Sequence, residues 1–200
     1  MVRVVSLAAL TVLVALSLFS GEIKQLFASR RAATTVAIPD VPFVPTPPHV
    51  VDAMLRLAKV TADDMVFDLG CGDGRVVFAA VREFGARGVG IDTNPALIEA
   101  CRTSAAAQKL EDQVEFRLED ILASDLAEAT VITLYLSQEM NNKLTPRFET
   151  LPPGVRIASH DFELEGIQPE RVEQASAIGH RTAPHRIYLY VTPLTPLSTP

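Results

Sequence analysis

From residue 46 to the C-terminus, short apolar runs alternate with stretches whose apolar residues recur every three or four positions. Val50, Val51, Met54, Leu55 and Ala58 share one helical face, which predicts a first helix ending near Lys59. Thr46 is its expected N-cap, with Pro47 and Pro48 in a first turn where a missing N–H does no harm. Strands are then expected at 65–69, 88–91, 114–118, 130–136 and 156–159, with helices at 75–84, 95–108 and 138–149 between them. Two more strands, at 172–178 and 186–191, follow without a helical pattern between them; the second carries the β-forming run Ile187-Tyr188-Leu189-Tyr190-Val191. Alternating strands and helices predict an α/β fold: a Rossmann-like, doubly wound, mostly parallel sheet with an antiparallel hairpin at its C-terminal edge.

The N-terminus has a different pattern. Residues 4 to 21 carry no charge and follow Arg3. As a helix they would span about 27 Å, just short of the ~30 Å hydrocarbon core of a bilayer. A membrane anchor, a cleaved signal peptide and a buried soluble helix are the three readings. Lys24, Arg30 and Arg31 follow the segment and favour a domain that stays in the cytoplasm; export after signal cleavage is the alternative. Residues 28–46 are rich in Ala, Thr and Pro and read as a linker. The expected organisation is therefore an apolar segment at 1–27, the linker at 28–46, a folded domain at 47–192 and a tail at 193–200.

The totals narrow the function. The chain is 48% hydrophobic with a formal net charge of -6, which weighs against nucleic acid as a partner, since backbone binding relies on Lys and Arg. Cys71 and Cys101 form no zinc-like spacing, and His49, His160, His180 and His185 lie scattered along the chain, so no metal is expected.

The chemistry concentrates in "VFDLGCGDGR", residues 66 to 75. A strand ends in Asp68, and Gly70, Gly72 and Gly74 then turn the chain into a helix. Glycine is suited to this because the backbone must bend sharply and approach a ligand closely. A dinucleotide site would place its third glycine one residue later, and Asp68 would repel a pyrophosphate. An acid there suits a cationic amine instead. Asp92 closes the next strand, placed for ribose hydroxyls, and Asp120 follows the third, placed for an adenine amino group. Together they point to S-adenosylmethionine rather than a nicotinamide cofactor. Cys71 lies in the same turn as a small packing residue beside that cofactor. Tyr135, at the end of the fourth strand, and His160 and Asp161, at the end of the fifth, are the acceptor-side candidates. Glu139 reads as an exposed first-turn helix residue.

With these motifs in place, residues 40 to 192 resemble the class I S-adenosylmethionine-dependent methyltransferases. The chain is most similar to the group that methylates lysines of ATP synthase c-subunit and adenine nucleotide translocase, with its bacterial relatives. The apolar N-terminus, the proline segment "VPFVPTPP", "DLGCGDGR" and Ser159-His160-Asp161-Phe162 carry that resemblance. It implies protein-lysine N-methylation, with a small-molecule or lipid methyltransferase, or a non-catalytic S-adenosylmethionine-binding membrane protein, as alternatives. It also implies that residues 43–47 cover the cofactor, with Thr46 in contact. One departure stands out: where bacterial relatives carry a tryptophan after the fifth strand, this chain reads Gly166-Ile167-Gln168-Pro169.

Overall fold

The computed structural model describes residues 43–176 and 184–198, so the apolar segment at 4–21 lies outside the described residues. Among the described residues, no helix is long and apolar enough to cross a membrane.

Among the described residues seven strands form one sheet: β1 (Met65–Leu69), β2 (Arg87–Asp92), β3 (Val114–Leu118), β4 (Val131–Leu134), β5 (Arg156–His160), β6 (Arg171–Ala175) and β7 (His185–Val191). Their order is β3-β2-β1-β4-β5-β7-β6. The first five run parallel, and β7 is antiparallel to both β5 and β6. The expected mostly parallel sheet with an antiparallel C-terminal pair is what forms. Strand order reverses between β1 and β4, which opens a crevice beyond their carboxyl ends.

The helices among the described residues are α1 (Pro48–Leu57), α2 (Arg75–Phe84), α3 (Pro95–Gln108) and α4 (Gln138–Phe148). They cover both faces because β1 and β4 are apolar on both. Phe67, Leu69, Ile132, Leu134 and Ile157 pack with Leu144 and Phe148 of α4 on one side. Val66, Val131, Ala158, Ile187 and Leu189 pack with Val50, Met54 and Leu55 of α1 and Ala80 of α2 on the other.

One cap differs from expectation. Pro47, not Thr46, is the N-cap of α1, and no side chain caps that end. Thr46 is buried, and its hydroxyl turns toward His160 instead. β4 is also shorter than the pattern 130–136 suggests, because Tyr135 and Leu136 leave the sheet for the crevice. Gly166-Ile167-Gln168-Pro169 packs against the chain's end: Gln168 N donates to Thr195 O at 2.8 Å, and Leu197 N donates to Gly166 O at 2.7 Å.

Candidate functional site

The glycine turn between β1 and α2 is built for close approach. Gly70, Gly72 and Gly74 have φ of 79°, 55° and 75°, in the left-handed region that a Cβ disfavours. A Cβ on Gly70 would stand 2.6 Å from Leu136 Cδ2, one on Gly74 would press on Phe116 and Cys101 Sγ, and one on Gly72 would overlap the Phe43 ring. The turn is tied to β2: Gly70 N and Cys71 N both donate to Ile91 O, and Gly72 N donates to Asp92 Oδ2 at 2.9 Å. Asp92 Oδ1 accepts from Asn94 N at 2.8 Å, so this one carboxylate organises both the turn and the start of α3.

Asp68 is buried beneath the turn, where Thr133 Oγ1 donates to its Oδ1 at 2.7 Å. Burial pushes its carboxyl up to about 7; the Thr133 hydrogen bond opposes this, and the nearby charges of Asp92 and Asp73 add to it. A carboxylate so poorly solvated is strongly favoured by a cationic partner. That environment fits the ammonium of S-adenosylmethionine and would oppose a pyrophosphate. Asp120, by contrast, is exposed beyond β3 and accepts from Leu122 N at 2.9 Å. Cys71 turns its side chain into the packing between α2, α3 and β3. A hydrogen bond with Cys101, together with burial, pushes its thiol far above the ordinary range, which makes it a packing residue and not a nucleophile.

Residues 43–47 form a strap over this turn. Phe43 lies against Gly72, and the Thr46 carbonyl accepts from Arg75 Nη1 at 2.8 Å. Arg75 in turn grips Asp73, with Nε 2.8 Å from Oδ1, and the guanidinium holds the Asp73 carboxyl below its usual range. Arg75 thus joins the strap to the glycine turn, a function that its place in a helix's first turn gave no hint of.

Strand parity places the rest. Side chains on alternate residues share a face, and Asp68, Thr133 and Ala158 are cross-strand neighbours on the α1/α2 side. Two residues further along, Tyr135 and His160 emerge on that same side, one and two strands from β1, or about 5 and 10 Å sideways at ~4.8 Å per strand. Their rings stack with centroids 3.9 Å apart. β7 pairs Ile187 with His160, which brings His185 alongside. His160 Nε2 and His185 Nδ1 are 2.8 Å apart, and Asp161 Oδ2 lies 3.4 and 3.6 Å from those two atoms. His49 stands edge-on to His185 at 5.9 Å and meets Ser176 O through Nε2. Three of the four histidines therefore converge, contrary to their scattered look in the sequence. Glu139 is exposed and paired with Lys143, away from this cluster.

The sequence reading missed Thr133, Arg75, His49 and His185. Thr133 had a signal, as the one polar residue within an apolar strand beside Asp68. His185 had none without knowing that β7 inserts between β5 and β6.

Comparison with known proteins bears on the same site. The family model described as the ANTKMT methyltransferase domain matches residues 68–171. The protein-lysine N-methyltransferase of Saccharolobus islandicus (strain REY15A) is 37% identical over 156 residues, 77% of this chain and 95% of that protein. The adenine nucleotide translocase lysine N-methyltransferase of Mus musculus is 31% identical over 66% of this chain, which spans only 58% of that enzyme. Among solved structures, an RNA methyltransferase from Salinibacter ruber in complex with S-adenosyl-L-homocysteine aligns with a TM-score of 0.68 and 43% identity, over 78% of this chain and 97% of that one.

Proposed function

This chain belongs to the ANTKMT methyltransferase domain family and is an S-adenosylmethionine-dependent methyltransferase, and on that premise we propose that its acceptor is the ε-amine of a protein lysine. The observation that carries the proposal is the archaeal protein-lysine N-methyltransferase, matched over 95% of its length. A match of that extent takes in the acceptor side as well as the cofactor side.

S-adenosylmethionine supplies a methyl group on a sulfonium, transferred by in-line displacement. In this reading Asp68 holds the amino group, Asp92 the ribose hydroxyls and Asp120 the adenine edge, while the backbone of Gly70, Cys71 and Gly72 passes beneath the ligand. Phe43 to Pro47 cover it, with Thr46 at the boundary between cofactor and acceptor. Tyr135 faces the incoming amine, with the buried His160 stacked against it and Asp161 at the rim. A lysine must lose a proton to react, at a cost of about 4.6 kcal/mol at pH 7 from a reference pKa near 10.4. Desolvation of the amine between the strap and the Tyr135–His160 stack would lower that cost by disfavouring the charged form. Alignment of the amine with the methyl contributes further.

RNA is the second reading, favoured by the Salinibacter ruber structure. The net charge of -6 argues against it, as does the run after β4, Tyr135-Leu136-Ser137-Gln138, which is not the Asn/Asp-Pro-Pro-aromatic run of exocyclic-amine methylation. We further propose that residues 4–21 tether the domain to a membrane with its site in the cytoplasm, where the methyl donor is made.

Incubating the purified protein with radiolabelled S-adenosylmethionine and soluble or membrane extracts tests the acceptor class. Label in material removed by protease supports a protein acceptor. Label removed by ribonuclease, or extracted into organic solvent, overturns it.

A further inference from the structure

We infer that His160, Asp161 and His185 form a binding site for one divalent transition-metal ion of the zinc class. Three ligand atoms converge: His160 Nε2, His185 Nδ1 and Asp161 Oδ2, with edges of 2.8, 3.4 and 3.6 Å. With metal–ligand bonds of about 2.0–2.1 Å, neighbouring ligands of a tetrahedral ion stand about 3.3 Å apart. The observed triangle straddles that value, so an ion fits with shifts of a few tenths of an ångström.

Direction matters more than distance. A chain of hydrogen bonds would place the carboxylate on the far nitrogen of one imidazole. Here the carboxylate oxygen is nearly equidistant from the two nitrogens, which face each other at hydrogen-bond distance, so the three atoms converge in one small triangle. The far nitrogen of His160 is occupied from outside: Thr46 Oγ1 lies 3.3 Å from Nδ1. In the Nδ1–H tautomer this contact is a donation to Thr46 and Nε2 presents its lone pair inward, the arrangement that fixes ligating histidines elsewhere.

Asp161 is aimed by its backbone. Its φ is 64°, and it pairs with β7 through Asp161 N to Arg186 O at 2.7 Å and Arg186 N to Oδ1 at 3.0 Å. A non-glycine residue in that region is strained, and the conformation turns Oδ2 toward the imidazoles. Two nitrogens and one carboxylate suit zinc, or iron, cobalt and nickel, rather than magnesium or calcium. Among the described residues three side chains converge, and a tetrahedral ion takes a fourth ligand besides them. The two histidines are buried and Asp161 only partly, so the ion enters beside the carboxylate.

The site is independent of which acceptor the enzyme uses. Its test is metal binding by the full chain, without a histidine tag and stripped with a chelator. Titrating Zn2+ calorimetrically should give one ion per chain with Kd in the micromolar range or tighter. Co2+ should give visible d–d absorption, and Zn2+ should raise Tm by mass action. His185→Ala and Asp161→Asn should each weaken binding at least tenfold, whereas His49→Ala, which removes a neighbouring ring, should not. Melting each variant in chelator separates loss of the site from loss of the fold, and Asp161→Asn keeps the shape of the side chain. Absence of 1:1 binding tighter than roughly 100 μM in the stripped wild-type protein, or wild-type affinity in a folded His185→Ala or Asp161→Asn variant, overturns the assignment.

Discussion

In the proposed arrangement Asp68 is the residue whose charge would shape the cofactor's affinity most. Its folded-state carboxyl titrates near 7, well above the ordinary carboxylate range. In the free protein, ionising it is therefore harder in the folded state than in the unfolded one. This contribution to stability is favourable below about pH 4 and is lost as pH rises from there to 7. Cofactor binding carries the opposite sign, because the ammonium selects the ionised form. Affinity should rise up to tenfold per pH unit toward 7, then level as the ligand amine's own range near 7.7–8 is reached. Calorimetry should show a proton released on binding at pH 6. Asp68→Asn should remove both that release and the slope, with affinity at pH 7.5 down on the order of 10- to 100-fold, the loss of a charged hydrogen bond. The glycines differ in their surroundings. Gly72→Ala and Gly74→Ala meet the same left-handed strain, of about 1–2 kcal/mol, but Phe43 is exposed and can swing aside, whereas Phe116 and Cys101 are buried and cannot. Thermal melts should therefore place Gly74→Ala well below Gly72→Ala in stability, with Gly72→Ala losing chiefly cofactor affinity. The acid and the three glycines were legible in sequence because spacing alone marks them. Burial and the Thr133 partner, which set the acid's chemistry, depend on β4 lying beside β1 and were not.

At the scale of elements, the strap and the sheet's lower edge are held by different ties. Arg75 links the strap to the glycine turn through the Thr46 carbonyl and Asp73. Arg75→Ala should leave the melting temperature within a few degrees, since the guanidinium is partly exposed, while weakening cofactor binding several-fold through loss of the strap. Binding and melting measured on the same sample check both halves. At the opposite end, buried Asp64 accepts from Thr61 N at 2.8 Å and Thr130 Oγ1 at 2.7 Å, and pairs with Arg156 of β5. Burial works against its ionisation, but those hydrogen bonds and the Arg156 charge prevail, so its carboxyl sits below the usual range. The tie is fully present above about pH 4 and is lost as pH falls through its folded value. Asp64→Ala strands Arg156 against the carbonyls of Ala58 and Lys59, and should cost on the order of 3 kcal/mol in chemical denaturation with the active-site residues untouched. The strap's place beside the glycine turn was expected from a proline segment leading into the first helix, while its tie through Arg75 was not. The helix cap was misassigned because Thr46 has two possible partners, and tertiary contact with His160 won over local capping.

Across the described residues, the fold gathers the candidate site residues at one end of one face of the sheet. Alternation along β1, β4, β5 and β7 puts Asp68, Thr133, Tyr135, His160 and His185 in a row on one face, in the proposed arrangement cofactor end first and acceptor end last. The parallel core was readable from alternating runs. The histidine cluster was not, because His185 reaches His160 only through an antiparallel strand inserted beside β5, a pairing that no local pattern encodes. That row supports an enzyme whose donor and acceptor meet between Gly70 and Tyr135. The most direct test is acid hydrolysis of the protein fraction labelled by radioactive S-adenosylmethionine, followed by amino-acid analysis, with wild type and Asp68→Asn in parallel. The expected result is label in methylated lysine for the wild type, reduced at least tenfold for Asp68→Asn. Label in any other methylated residue, or equal labelling by the two proteins, would contradict it.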